Sequence, residues 1–482
     1  MILTKLVIAL LAFSFGWVPS VAETSLQKRL SEQLAIAHDR HELFGQSVAV
    51  LQDGKLIFAE ATGEANVEFG VSAEPGTVYS IYSVTKLFVS VRLLRLVEEG
   101  QLNLQDPIGS IVGGLPEAWQ DVTILQLLSH VSGLPEYSQE TMLHLSAEEA
   151  ISAVFETEFE FEPGSASSYN QTNFFLLQRV LETLEGKAFS RLIEEDIVRP
   201  LVLEQTSLGG EFDIIDGRAT RYEHSEYGIK RVMRNDPPDY YYAANGLNSS
   251  VLDAARWFEA LLAGELIELS LLHQAWQPTH LNNGKTARHT HGWEYRTMNG
   301  YTIVGHYGSN IVNVRHFFRA SHPEKSVTVI HFTNGRRKPF DMVDFSYTLA
   351  SEVWPDMQTP LRSLKQVMIN QIEAENWPAA EAAYQAYSHT DDFDSSAAEE
   401  MVNRLGYEVM SLMSARKAIP VFELNKTEHP TSANAHDSLA EAFQRDGQFE
   451  AAIASYREAL RLDPENERIQ STIAGLSELN IE

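Results

Sequence analysis

Apolar and polar positions along this chain follow two rhythms, and the boundaries between them divide it into regions. Residues 25–43 carry apolar positions at helical spacing and predict an amphipathic helix. Residues 47–52 and 55–59 alternate in strand fashion on either side of Asp53-Gly54, a pair suited to the tight primed turn of a hairpin. From about residue 87 to residue 263 helical spacing dominates, broken by Gly and Pro loops. Strand patterns return at 301–304, 312–319 and 327–332, with His322-Pro323-Glu324-Lys325 predicted as the last turn. Strands at both ends of a helical middle predict an α+β arrangement: an antiparallel sheet assembled from distant segments, with a helical insertion.

After Trp354-Pro355 the strand pattern stops, and the chain becomes rich in Ala, Glu and Leu. Leu405 and Leu439, Gly406 and Ala440, Ala418 and Ala452, Phe422 and Tyr456, and Pro430 and Pro464 each stand 34 residues apart. That period, with small and aromatic residues at these offsets and a closing Pro, is the helix-turn-helix pattern of tetratricopeptide repeats. Residues 377–387 carry part of a further hairpin, out of register. The expected division is a leader at 1–22, a catalytic domain at 23–355 and an all-α repeat domain at 361–482.

The leader reading comes from Lys5, the apolar run 6–18, and Pro19, Ser20, Val21 and Ala22, with cleavage expected after Ala22. The run is too short to span a bilayer comfortably. An exported protein, periplasmic or secreted, with no membrane span after leader removal, is therefore expected. The 482 residues contain no cysteine, which excludes disulfides, thiolate metal sites and a cysteine nucleophile. Lys and Arg number 37 against 66 Asp and Glu, for a net charge of −29. That balance repels phosphate backbones and disfavours nucleic-acid binding, while saying little about a small substrate.

The chemistry starts at Ser83-Val84-Thr85-Lys86. S-x-x-K alone is weak, since Ser25 to Lys28 and Ser414 to Lys417 repeat it on surface helices. Ser83 differs in context. It follows a strand-like stretch, residues 78–81, and opens a helix with apolar positions Leu87, Val91 and Leu94, ending at Glu98-Glu99-Gly100. A serine in a first helical turn faces free N–H groups that favour developing negative charge. Lys86, three residues on, shares its face, and burial would lower the lysine's pKa enough for it to take the serine proton.

Two later stretches add weight: Ser168-Tyr169-Asn170-Gln171-Thr172-Asn173-Phe174 after Pro163-Gly164, and Gly305-His306-Tyr307-Gly308-Ser309 at the end of a strand. With residues 129–135 and 243–247, they fall in the order and spacing of a known family. The first three hundred or so mature residues resemble class C β-lactamases and the related D-alanyl peptidases, D-amino-acid amidases and esterases. That resemblance implies the β-lactamase and penicillin-binding-protein fold, an acyl-enzyme on Ser83, and activation by Lys86. It places Tyr169 on the tyrosine that works with the lysine as base and then acid, provided that neighbouring cations, Lys86 and a protonated His306, lower its pKa. It puts His306 and Gly308 on the lysine and glycine of K-T-G, and the Ser83 and Ser309 N–H groups in an oxyanion hole. Gly308 is expected to leave room for a substrate along the strand.

The sequence departs from the family pattern twice. Gln171 stands for the asparagine of Y-x-N, and Ser168-Tyr169-Asn170 remains an alternative phase. Histidine replaces lysine at 306, which weakens fixed binding of a carboxylate near neutral pH and makes true β-lactamase activity less expected. Lys285-Thr286-Ala287 mimics K-T-G but sits in a polar turn. His289-Thr290-His291 and Asp391-Asp392-Phe393-Asp394 suggest metals without a full ligand pattern, so no metal or cofactor is expected. The expected activity is a serine hydrolase acting on an amide or ester: a D-amino-acid peptide, a wall fragment or a small ester. A genuine class C-type β-lactamase is one alternative. A non-catalytic binding protein on this fold is another, and the helical repeats offer a place for a protein partner.

Overall fold

The computed structural model describes residues 21–137, 146–232 and 237–479, so most of the expected leader lies outside the described residues. Among these residues eight strands form one antiparallel sheet: β1 Gly45–Gln52, β2 Lys55–Asn66, β3 Val71–Ser72, β4 His289–Thr290, β5 Trp293–Met298, β6 Tyr301–Gly308, β7 Val312–Arg319 and β8 His322–Thr333. Their order is β3-β2-β1-β8-β7-β6-β5-β4, so β1 from the start of the chain pairs with β8 from beyond the helical middle, Val50 opposite Val329. The β1–β2 turn has positive φ at both Asp53 (50°) and Gly54 (72°), as a primed two-residue turn requires.

Both faces of the sheet are covered, which is why β1 is buried along nearly its whole length. Val48, Val50, Ile303, Phe317 and Val329 face one core with Leu30 and Leu34 of helix α1 (Val21–His41) and Phe345 and Leu349 of a later helix, Met342–Val353. Ala49, Leu51, Val304, Val314 and Ile330 face the larger core, which holds helices α2 (Thr85–Glu98), α3 (Gln171–Glu185) and α4 (Val251–Leu262). Each fully buried Val, Leu, Ile or Phe contributes about 1.5–3 kcal/mol. The alternation therefore fixes strand register strongly, because a one-residue slip would exchange the two cores.

The structure corrects one sequence expectation. The β7–β8 turn is Ala320-Ser321, and β8 reaches back to His322. The ladder jumps from Phe318↔Ser326 to Arg319↔His322, so Pro323, which has no N–H to donate, sits in the irregular stretch between them.

With Met342–Val353 as α5, the tail comprises α6 Pro360–Glu373, α7 Trp377–Ser388, α8 Ser395–Leu412, α9 Ala415–Glu428, α10 Ala433–Arg445, α11 Phe449–Leu462 and α12 Glu467–Leu479. It is all-helical, as expected. The 34-residue equivalents Leu405 and Leu439, Gly406 and Ala440, Ala418 and Ala452, and Phe422 and Tyr456 are all buried. Ion pairs Arg40–Glu373 (2.6 Å) and Arg362–Asp344 (2.6 Å) fasten α6 to α1 and α5.

Gly406 lies flat against Phe422, and a methyl group there would overlap the phenyl ring. Gly406→Ala is therefore expected to overpack the α8–α9 seam and cost about 1–3 kcal/mol. Adding Phe422→Leu should recover much of that loss. Thermal melts of both variants followed by circular dichroism check this; equal melting points for Gly406→Ala and wild type would refute it.

Candidate active site

Ser83 sits in a single 3-10 turn, Tyr82–Val84, that runs directly into α2, so its hydroxyl stands at the helix entrance. The preceding residue, Tyr82, has φ +46°, a left-handed conformation costing a non-glycine residue about 1–3 kcal/mol. Ile81 N–H donates to Leu247 O at 2.9 Å, and the Tyr82 hydroxyl accepts from Arg221 at 3.1 Å and donates to Glu211 at 3.2 Å. These bonds hold the turn in place.

One turn on, Lys86 is fully buried. Its Nζ lies 2.9 Å from Gln171 Oε1, 2.7 Å from Ala244 O and 3.4 Å from Ser83 Oγ. Burial lowers its pKa to about 7, against a smaller opposing effect from the Glu136 carboxylate. A neutral amine has two protons and one lone pair. The protons satisfy Gln171 and Ala244, and the lone pair then faces the Ser83 hydroxyl.

Tyr169 immediately precedes Asn170, the N-cap of α3, and its hydroxyl donates to Ser83 Oγ at 2.7 Å. Asn170 is itself buried, with Nδ2 on Leu134 O and Oδ1 on Asn173 N–H, so it caps the helix while Gln171 reaches the lysine. That geometry separates the two phases left open by the sequence: Gln171, and not Asn170, faces Lys86. The Gln171 N–H donates to Glu136 at 2.6 Å, a neighbour that the sequence reading did not single out.

The ring of Tyr169 lies among three imidazoles: His130 at 4.6 Å, His289 at 5.5 Å and His306 at 5.8 Å between centroids. All three are buried and held below the ordinary histidine value by desolvation, His289 at about 4 and His306 at about 3. His306 Nδ1 donates to Tyr307 O at 2.7 Å, and His130 Nδ1 accepts from the Asn170 N–H at 3.1 Å. Neither brings a positive charge to Tyr169. Desolvation holds the phenol above its usual value, although the tyrosine is 40% exposed. His289, weighed in the sequence as half of a metal pair, is a wall of this pocket; His130 appeared there only within the 129–135 stretch. Their partners come from distant segments, so no local pattern marked them.

Behind this wall, His289, Glu294, Gly305 and Arg315 lie in one cross-strand row. Burial alone would raise Glu294, but Arg315, at 2.5 Å across the bare Gly305, holds its carboxyl at about 2. Gly308 has a steric reason that the sequence did not supply. A Cβ there would stand 2.5 Å from Ile81 O, 2.6 Å from Val312 Cγ2 and 3.0 Å from Tyr82 Cβ. The glycine lets β6 pass against the Ser83 turn. Ser309 (φ +49°) and Asn310 (φ +58°) then turn the chain sharply away.

Residues 26–351 match the model of the beta-lactamase family, which covers well over half of the chain. The chain belongs to that family. It is 26% identical over 294 residues to a D-aminopeptidase of Gluconobacter oxydans, covering 59% of this chain and 55% of that protein. It is 26% identical over 214 residues to the teichoic acid D-alanine hydrolase of Staphylococcus aureus, covering 44% of this chain and 53% of the other. The chain thus spans about half the length of these curated relatives. The octameric penicillin-binding protein homologue of Pyrococcus abyssi superposes with a TM-score of 0.57 at 25% identity, over 72% of this chain and 81% of the other.

The beta-lactamase-family site predicts a sharp response at Gly308. Gly308→Ala is expected to push β6 off the Ser83 turn, abolish covalent labelling of Ser83, and lower the melting temperature by several degrees. Labelling at the wild-type rate would show that the close approach is dispensable.

Proposed function

We propose that this protein is a serine acyl-hydrolase that cleaves an ester or amide through an acyl-Ser83 intermediate. The observation that carries the reading is one chain of contacts: the Tyr169 hydroxyl on Ser83 Oγ at 2.7 Å, and Ser83 Oγ facing the buried Lys86 amine at 3.4 Å. In this reading neutral Lys86 takes the Ser83 proton as the serine oxygen attacks the carbonyl carbon. The Ser83 and Ser309 N–H groups receive the negative charge on the carbonyl oxygen. When the intermediate collapses, Tyr169 gives its proton to the departing amine or alkoxide. The ammonium of Lys86 then gives up the proton it took from Ser83 to restore the phenol, so that both side chains end as they began with the acyl group on Ser83. Water then attacks the acyl group by the same route reversed, restoring Ser83 and releasing the acid.

The likeness to a D-aminopeptidase and a teichoic acid D-alanine hydrolase favours a D-configured amino-acid or D-alanyl substrate. Export is inferred from the leader pattern of residues 1–22. Among the described residues no helix is long and apolar enough to cross a membrane. The division at 23–355 and 361–482 is inferred from the composition change together with the separate apolar core of the tail. The 34-residue period and its buried equivalents support a tetratricopeptide-like tail offering a surface to a protein partner.

A fluorophosphonate probe with mass mapping tests the central claim: the label is expected on Ser83, and Ser83→Ala should lose labelling and at least about a thousandfold of turnover. Full activity in that variant would end the reading. Lys86→Ala and Tyr169→Phe should each cost about a hundredfold or more, and the double variant far less than the product, because both handle one proton.

The pH dependence follows from Lys86. The base is the neutral amine, so kcat/KM should fall as pH drops below about 7 and level off above it. A profile flat from pH 5 to 9 would exclude lysine as the base.

A further inference from the structure

The tail meets the catalytic region on the sheet face opposite the one that packs against α2. Arg362 and Lys365 of α6 both reach Asp344 in the first turn of α5, at 2.6 and 3.5 Å, and the Lys365 amine also binds Glu408 of α8 at 2.8 Å. The Arg362 guanidinium lies over the Tyr347 ring, its carbon 4.2 Å from the centroid, and donates to Thr348 Oγ1 at 3.4 Å. The tail thus grips one side of α5. On the other side Phe345 and Leu349 pack into the sheet's core, and the first turn is tied to β7. There the fully buried Asn313 donates through Nδ2 to Met342 O at 3.2 Å and to Ser346 Oγ at 2.7 Å. Asn313 pairs with Tyr307 of β6, on the far side of the Ser309-Asn310 turn.

We propose that the helical tail positions the active site: by fixing α5 it fixes Asn313, and through β7 the turn that carries the Ser309 N–H. Asn313 is then a positioning residue, and Arg362 its support from the tail. A cavity of about 450 Å³, lined by Tyr307, Asn310, Phe340, Asp341 and Met342, lies between the turn and the start of α5. The turn is therefore not wedged in place by apolar packing on that side. Polar links hold it there: Asn313 to α5, and Arg336 donating to Asn310 O. A buried hydrogen bond is costly to leave unmade, so a shift of α5 carries Asn313 with it or strands its amide. Two cations of the tail balance the Asp344 carboxylate, and losing one leaves that partly buried charge poorly matched. An oxyanion donor is sensitive to such a shift, since a misplacement of about 1 Å caused far from the chemistry can cost about a hundredfold in rate.

The inference rests on the acyl-hydrolase reading, in which the Ser309 N–H serves the oxyanion, and a double-mutant cycle on the full chain separates the two. Wild type, Arg362→Met, Asn313→Ala and the double variant are compared on the phenyl ester of N-acetyl-D-alanine. Values of kcat are expressed per Ser83 titrated with a fluorophosphonate, so that unfolded protein is not counted. Each single variant is expected to lose at least about fivefold in kcat with KM changed by less than about twofold, because an oxyanion donor acts on the transition state. The double variant should lose little more than the worse single one, whereas independent effects at sites that share no hydrogen-bond partner would multiply. Ser346→Ala breaks the same link more gently, and takes the place of Asn313→Ala in the cycle if that variant does not fold. Unchanged kcat in Arg362→Met, or multiplied losses in the double variant, overturns the positioning assignment. Neither labelling of Ser83 nor turnover by wild type overturns the acyl-hydrolase reading, and the inference with it.

Discussion

A single amine kept out of water sets the terms for this site. Lys86 reaches neutrality near pH 7 because α2 carries it into the larger core, where solvent cannot stabilise its charge. Desolvation alone would leave a costly buried group. Two acceptors from separate segments, Gln171 at the start of α3 and Ala244 ahead of α4, take its two remaining protons. Moving either segment would leave the amine free to turn away from Ser83. The helical middle therefore meets the sheet in one arrangement that leaves the lone pair facing the serine.

Strain gathers around the same point. Tyr82, His130, Ser309 and Asn310 all hold positive φ without being glycine. Such conformations persist only where surrounding contacts over-determine them. Here the contacts are identifiable: Leu247 O on Ile81, Arg221 on Tyr82, Ser168 N–H on His130 O, and β6 pressed on the Ser83 turn through Gly308. Each ties a strained residue or its neighbour to a segment from elsewhere in the chain. Precision at Ser83 is thus derived from packing that lies well away from it.

Much of this was legible in the sequence. Alternation at 47–59 and 301–332, interrupted by helical spacing, is enough to foresee a sheet closed by distant strands, because each strand buries two faces and tolerates no slip. The Ser83, Tyr169 and His306 stretches were legible as motifs because local chain geometry places each one: a helix entrance, an N-cap, a strand end. His130, His289 and Arg221 were not, since each owes its place to tertiary contacts with segments far along the chain. The half-buried Pro323 looked like a turn residue because proline cannot extend a regular ladder. The strand accommodates it with an irregularity.

The departures from the family pattern fit together once charge is followed. A lysine at 306 would put a second cation beside Tyr169, stabilising a phenolate and sharing the role of base. Histidine in the same buried place stays neutral, and His130 and His289 beside it do too, so the phenol is left above its ordinary value. A raised phenol pKa favours the protonated form, which suits the proton-donating role proposed for Tyr169. In the proposed mechanism the first proton goes to Lys86, whose other contacts are Gln171 and Ala244. In that proposal glutamine at 171 and histidine at 306 act together: the first accepts from the lysine, and the second adds no competing charge beside it.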